Sequence, residues 1–169
     1  MTKKKTFKLV ISSILIAFAL ALSFFESLVF APILPLPGIK LGLANIVILF
    51  SFYSLGPKST FFIILIKCIL SAIFGGGPIS FAFSICGSLF SFFVMLIAKR
   101  CPHLSIYGVS ILGASAHSTG QIFVAVFLFS SFAIISYLPL MLIFSVITGT
   151  LTAFISQFIL LRLSDMYKK

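Results

Sequence analysis

Acidic residues are almost absent from this sequence. Of 169 residues only two are acidic, Glu26 and Asp165, and charged residues of all kinds make up 8%. A soluble domain usually carries about 25% charged residues. Hydrophobic residues make up 61% of the chain, in long runs that short Pro-, Gly- and Lys-containing segments interrupt. The sequence therefore predicts a polytopic membrane protein, and two carboxylates leave little with which to perform acid–base or metal chemistry.

Tryptophan is also absent, and cysteine is scarce. The three cysteines, at positions 68, 86 and 101, show no CxxC or CxxH spacing, which favours small apolar filler over a disulfide set or a metal site. The sequence Gly-Gly-Gly-Pro at 75–78 lacks the GxxxxGK[ST] pattern of a nucleotide-binding loop and predicts a turn, with a gate as the alternative. We therefore expect no catalytic residue, no metal and no cofactor.

Six apolar segments fit membrane helices, since one span needs roughly 20 apolar residues. We predict an all-α, six-helix membrane bundle that forms a single domain over residues 1–169. The second and third helices are short for full spans, and the 130–136 junction lacks a strong helix breaker. The predicted helices cover about 8–30, 41–55, 60–74, 79–98, 105–129 and 137–163.

The N-terminus imitates a signal peptide, because three lysines precede an apolar run that contains the small residues Ala19 and Ala21. The run continues to Phe30, however, and further spans follow. We therefore expect a first helix that stays in the protein.

The basic residues predict the orientation in the membrane. With six spans, ten of them fall on the side of the two termini, and Lys40 alone falls on the opposite side. Lysine and arginine concentrate on the cytoplasmic side of membrane proteins. We therefore expect both termini in the cytoplasm of a multi-pass cell-membrane protein. The same placement at helix ends argues against nucleic acid as the partner of the net charge of +10.

Polar residues inside the fifth helix form the first candidate site. His117 and Gln121 are four residues apart and so project from one face, and Gly113 and Gly120 allow close approach of a helix or a ligand. Polar groups inside a bilayer usually face a cavity or a partner. The stripe fits one wall of a substrate pocket, and hydrogen bonding that merely holds the bundle together is the alternative.

A second candidate lies between the proline-rich segment and the second helix. Lys40 and Asn45 flank the start of this helix, where backbone amides and a positive charge favour an anionic headgroup, carboxylate or phosphate. An irregular loop with a snorkelling lysine is the alternative.

Three further features concern the first and third helices. Lys67 lies midway along the third helix and needs a partner, a wet cavity or a snorkelling route; Glu26 is a possible ion-pair partner for Lys67 or Lys40.

Ala17 and Ala21 are four apart, a spacing that allows close approach of another helix, either within the chain or from a partner subunit.

Several motifs together resemble a known family. They are PGIKLGLAN at 37–45, LGPK at 55–58, FGGGPISFAFSICGSLFS at 74–91, YGVSILGASAHSTGQ at 107–121 and YLPLMLIFSVITGTLT at 137–152. The chain thereby resembles the Gx transporters, small membrane proteins often called heptaprenyl diphosphate synthase component I. That family usually has Asn after the histidine of the AHSTGQ motif, where this chain has Ser118.

The same family is similar to the substrate-binding S-components of energy-coupling factor transporters. This resemblance implies six helices, a ligand pocket toward the outer face, and a docking face at Ala17 and Ala21 for a transmembrane coupling subunit. ATP hydrolysis would then come from separate ATPase subunits. Prenyl diphosphate synthases, by contrast, hold magnesium diphosphate with paired aspartate-rich motifs, and this chain has one aspartate.

The polar residues together with the resemblance favour a substrate-binding membrane subunit for small-molecule uptake, with a ligand oriented by Lys40, Asn45, Lys67, His117 and Gln121 and held between apolar walls. The alternative is a non-catalytic membrane component of heptaprenyl diphosphate or menaquinone synthesis that associates with a soluble prenyl diphosphate synthase. A scaffold without a ligand and a membrane-embedded enzyme are further alternatives.

Overall fold

A computed structural model describes residues 3–30 and 40–167, and these residues are helical throughout apart from short connections. The α-helices are α1 Lys3–Phe30, α2 Asn45–Ser54, α3 Pro57–Ser71, α4 Gly77–Ala98, α5 Ile106–Phe129 and α6 Leu138–Tyr167. A π-helical turn, Ala72–Gly76, joins α3 to α4, and a 3-10 helix, Phe132–Tyr137, leads into α6. The predicted all-α class is confirmed. The proline-rich part of the predicted outer loop, 31–39, and Lys168 and Lys169 lie outside the described residues.

Five of the described helical segments are long and apolar enough to cross a membrane, and α2 is the exception. Its ten residues span about 15 Å at 1.5 Å per residue, half of a hydrocarbon core of about 30 Å. The predicted start of this helix at 41 is four residues early, because a turn at 42–44 precedes it. The six-span count and the orientation of the termini stay predictions.

Proline and glycine chemistry sets several helix ends. α3 begins at Pro57, three residues before the predicted start, because proline lacks the N–H that the first helical turn leaves unpaired. Gly56 before it has φ +88°, a conformation that glycine adopts without strain. α5 begins after Ser105, whose side chain accepts a hydrogen bond from the Gly108 N–H, and ends at Phe129 as predicted.

Two apolar clusters hold the helices together. The larger combines α2, α3, α4, α5 and α6 around Phe52, Ile64 and Phe92, and the smaller joins α4, α5 and the start of α6 around Phe83 and Ile122. α4 and α5 form the most extensive helix pair. Much of the outer surface is also apolar, as expected where lipid replaces water.

Basic residues gather at one end of this bundle, which we call the basic end. Lys8 and Ser59 line one groove between the starts of α1 and α3. The Lys99 ammonium lies 4.4 Å from the centre of the Tyr53 ring at the end of α2. Arg162 stacks on Phe158, which shares a groove with Tyr107 near the start of α5.

Candidate functional site

His117 and Gln121 form a buried polar pair on α5. Their exposed fractions are 4% and 0%, and 3.1 Å separates His117 Nε2 from Gln121 Nε2. The Lys40 backbone N–H donates to Gln121 Oε1 at 3.3 Å, so the amide Nε2 is left to donate to the imidazole. His117 then accepts through Nε2 and carries its proton on Nδ1. The four-residue spacing on one helix produces this contact, as the sequence predicted.

Two glycines enclose the imidazole ring. A Cβ atom on Gly87 of α4 would lie 3.0 Å from both His117 Cε1 and Nδ1. A Cβ on Gly42 would lie 3.5 Å from His117 Cδ2 and 2.6 Å from Asn45 Nδ2. Gly42 also has φ +91°, so a side chain there would be strained as well as crowded. The absence of a side chain at Gly87 makes room for the His117 ring against α4, and its absence at Gly42 makes room for the Asn45 side chain.

The Glu26 side chain extends from α1 to the backbone just before α2. Its side chain is 1% exposed, one carboxylate oxygen accepts the Gly42 N–H, and the other accepts the Leu43 N–H at 3.2 Å. Amides before a helix carry partial positive charge and favour an anion. The sequence led us to expect an external anion at these amides, and in the structure the chain's own carboxylate takes two of them.

Two lysines accompany this carboxylate. Lys67 on α3 is 3% exposed and Lys40 is 7% exposed. Both positive charges act electrostatically on Glu26, and they also act on each other. The three residues thus form a charge cluster, but among the described residues no ion pair within 4.0 Å joins Glu26 to Lys67 or Lys40, so the suggested pair stays a prediction. The Lys40 backbone contacts Gln121, about 22 Å along α5 from its start.

Asn45 completes the set of predicted polar residues. It is the first residue of α2 and is 7% exposed, and its backbone N–H donates to the Gly42 carbonyl at 2.8 Å. Its side-chain Nδ2 lies close to Gly42, as His117 does. The structure thus brings Lys40, Asn45, Lys67, His117 and Gln121 into one region, where the turn before α2 meets α3 and α5.

Several buried polar atoms of this region have no hydrogen-bond partner. In the part of the chain that the structure describes, the atoms of this region without one are Ser23 Oγ, Asn45 Nδ2 and His117 Nδ1. A buried polar group left unpaired costs about 1–3 kcal/mol. Proteins usually satisfy such groups with protein partners or with ordered water.

A small cavity adjoins the cluster. It has a volume of about 60 Å³, and its lining combines polar and apolar residues from α1, the segment before α2, α3 and the π-helical turn: Ser23, Phe24, Ser27, Lys40, Ser71 and Gly76. A larger groove between α1 and α3 combines apolar residues with Lys8 and three serines, and another along α6 is lined largely by apolar residues. The small cavity reaches the cluster at Lys40, and its size suits a functional group rather than a large molecule.

The predicted docking residues lie elsewhere. Ala17 and Ala21 are on the exposed side of α1, whereas Ala19 between them is fully buried. They are not part of the polar cluster. The side of α1 that carries them is open to lipid or to another protein.

Comparison with protein families gives one match, over residues 15–159, to heptaprenyl diphosphate synthase component I. The chain belongs to this family. The matched range contains every predicted site residue, from Ala17 to Gln121, together with Glu26 and both glycines around His117. No curated protein and no solved structure matches the chain.

Within the region that this family match covers, sequence reasoning missed three contributors. Gly42 and Gly87 belong to the motifs at 37–45 and 74–91, but neither glycine was selected as a site residue. Glu26 was considered only as an ion-pair partner. A sequence signal for Glu26 did exist, since an acidic residue in an apolar run needs partners. Nothing in the local sequence identified Gly42 and Leu43 as those partners.

Proposed function

We propose that this chain is the substrate-binding membrane subunit of a transporter that takes up a small molecule. The observation that carries the proposal is the enclosed cluster of Glu26, Lys40, Lys67, His117 and Gln121, with unpaired polar atoms beside it. Such groups are costly inside a membrane protein, and they mark substrate or ion sites more often than structural ones. A few convergent polar groups among apolar walls are the usual construction of a ligand site.

The site lies away from the basic end of the bundle. His117 lies at the middle of α5 and Gln121 beyond it, about 16 and 22 Å from the start of the helix, and the basic end lies at that start. If basic residues face the cytoplasm, the site opens toward the outside, as uptake requires. The exposed side of α1 at Ala17 and Ala21 then suits a transmembrane coupling subunit, with ATPases as further partners.

The orientation predicts one-sided labelling of Cys101. This thiol is exposed in the connection between α4 and α5, next to Lys99 and Arg100. A membrane-impermeant maleimide should label it in inside-out vesicles and leave it unlabelled in intact cells. Cys101→Ser shows which signal belongs to this residue, because Cys86 is only partly buried. Labelling in intact cells would contradict the cytoplasmic placement of the basic end.

The first test of the proposal is purification of the tagged full-length protein from its native membrane in mild detergent. Mass spectrometry then identifies co-purifying proteins and small molecules. A coupling protein with two ATPases, together with a bound small molecule, would support the transporter. An aspartate-rich prenyl diphosphate synthase without ATPases would overturn it.

That second outcome is the alternative function, a non-catalytic membrane component of heptaprenyl diphosphate or menaquinone synthesis. The description of the family favours it. The chain itself supplies one aspartate, so the chemistry would have to come from the partner.

Replacing either His117 or Gln121 with alanine should weaken the retention of ligand by the purified protein. His117→Ala and Gln121→Ala each delete one side of the 3.1 Å contact, and Gln121→Ala also leaves the Lys40 N–H unpaired. Losing one buried hydrogen bond to a ligand or to its neighbour costs about 1–3 kcal/mol, so we expect about tenfold or greater loss of bound molecule per mole of protein.

Thr119→Val is the matched control for these variants. Thr119 lies between them in sequence, is exposed, and bonds only to the Ser115 carbonyl of its own helix. It should retain the ligand at the wild-type level. Equal ligand content in all three variants would show that the pair has only a structural role.

A further inference from the structure

The charges of the cluster do not balance. Among the described residues that form it, Lys40 and Lys67 are both buried with Glu26, which gives two positive groups for one negative group. An uncompensated buried charge costs several kcal/mol even after the protein relaxes around it. The region therefore favours one further negative charge.

Glu26 is also less available to the lysines than a free carboxylate. Each of its oxygens already accepts a backbone N–H, from Gly42 and from Leu43. Part of its charge thus stabilises the start of α2. No described residue forms a hydrogen bond to the side-chain ammonium of Lys67, and the lysines repel each other.

The small cavity is placed to admit the missing charge. Lys40 lines it directly, and Ser71 lines it one helical turn after Lys67 on α3. Ser23 lines it from α1, is 1% exposed, and has an unpaired hydroxyl. Hydroxyls and ammonium groups are donors, so the polar lining offers hydrogen bonds that oxygen atoms of an anion accept.

The volume limits what enters. About 60 Å³ equals roughly the share of two water molecules in liquid water, enough for one compact oxyanion group. We propose that this cavity holds the oxyanion group of a small ligand, a carboxylate or a single phosphate, with Lys67 and Lys40 as its counter-ions. The proposal rests on the proposed function, since it names the class of substrate that the same site takes.

The test measures thermal unfolding of the full-length protein in detergent with a thiol-reactive fluorophore. Cys68 is fully buried and becomes reactive when the bundle opens, and serine replaces the exposed Cys101 and the partly buried Cys86 so that neither reacts beforehand. The probes are sodium acetate, sodium succinate and sodium phosphate, each compared with sodium chloride at equal ionic strength. We expect at least one of these anions to raise the unfolding midpoint, in proportion to the logarithm of its concentration once binding saturates.

The variant that decides the matter is Lys67→Gln, with Lys58→Gln as its control. Lys58 is an exposed lysine near the start of the same helix. The anion-dependent rise should disappear in Lys67→Gln and persist in Lys58→Gln. A rise with acetate or succinate identifies a carboxylate, and a rise with phosphate alone identifies a phosphate. Absence of any rise in the wild type, or an equal rise in Lys67→Gln, overturns the anion proposal.

Failure of the oxyanion proposal can be distinguished from failure of the proposed transporter function. A neutral or cationic molecule that co-purifies with the wild type and is lost from His117→Ala would keep the ligand-binding subunit and refute the anion. An anion effect that depends on Lys67, found in a protein that associates only with a prenyl diphosphate synthase, would keep the anion site and refute the transporter.

Discussion

Replacing Glu26 with glutamine should destabilise the protein more than any other single polar substitution in the site. The two Glu26 oxygens accept the N–H groups of Gly42 and Leu43, and its charge offsets Lys40 and Lys67. Glutamine has one acceptor oxygen, and its NH₂ group would face a backbone donor. Removing one partner of a buried charge cluster costs about 3–5 kcal/mol, because the charges that remain are left without compensation.

The measurement is the unfolding midpoint reported by the reactivity of buried Cys68. For a chain of this length, a loss of this size lowers the midpoint by on the order of 10 °C. Ser27→Ala is the control, since Ser27 lies one residue further along α1, also borders the cavity, and bonds to the Ser23 carbonyl of its own helix at 2.9 Å. A Glu26→Gln midpoint equal to that of Ser27→Ala would show that the carboxylate is not what secures the start of α2.

The response of Glu26→Gln to added anions connects this prediction with the oxyanion proposal. The variant has two buried lysines and no buried carboxylate among the described residues of the cluster. An oxyanion in the cavity should therefore stabilise the variant by more than it stabilises the wild type. Comparing the anion-dependent rise in unfolding midpoint between Glu26→Gln and the wild type separates the role of Glu26 in charge balance from its role as a hydrogen-bond acceptor.

The long helices could be predicted from the sequence because the length of an apolar run is a local property. The bounds of α5 matched within one residue, and the His117–Gln121 contact followed from their spacing. The shorter elements were harder. Nothing in the run after Lys40 indicated that a turn would delay α2 to Asn45. The predicted start at 60 left Pro57 outside α3, although its lack of an N–H suits the first residue of a helix.

The candidate site was predictable as a set of residues but not as an arrangement. Buried polar residues in a membrane helix are conspicuous one by one, so Lys40, Asn45, Lys67, His117 and Gln121 could each be selected from the sequence. Their arrangement depends on contacts between distant segments, such as the Lys40 N–H with Gln121, which are 81 residues apart. The carboxylate that occupies the Gly42 and Leu43 amides comes from a different helix, and only tertiary packing brings it there.

A bulky side chain at position 120 should disturb the site through the contact between α4 and α5. A Cβ atom on Gly120 would lie 3.1 Å from the Cys86 carbonyl oxygen and 3.1 Å from Gly87 Cα, both backbone atoms that have little freedom to move. Gly120→Val adds two further carbons at this crossing. Overpacking of this kind costs about 1–3 kcal/mol and shifts the backbone.

The shift also affects ligand binding, because Gly87 lies against both Gly120 and the His117 ring. If α4 and α5 separate by a few tenths of an ångström, His117 loses its fixed position between Gly87 and Gly42. We therefore expect Gly120→Val to lower the unfolding midpoint by several degrees and to reduce retained ligand about as much as His117→Ala does. Thr119→Val, which adds no new contact inside the bundle, should change neither quantity. Full ligand retention in Gly120→Val, despite a lower midpoint, would show that the position of His117 does not depend on how closely α4 and α5 approach.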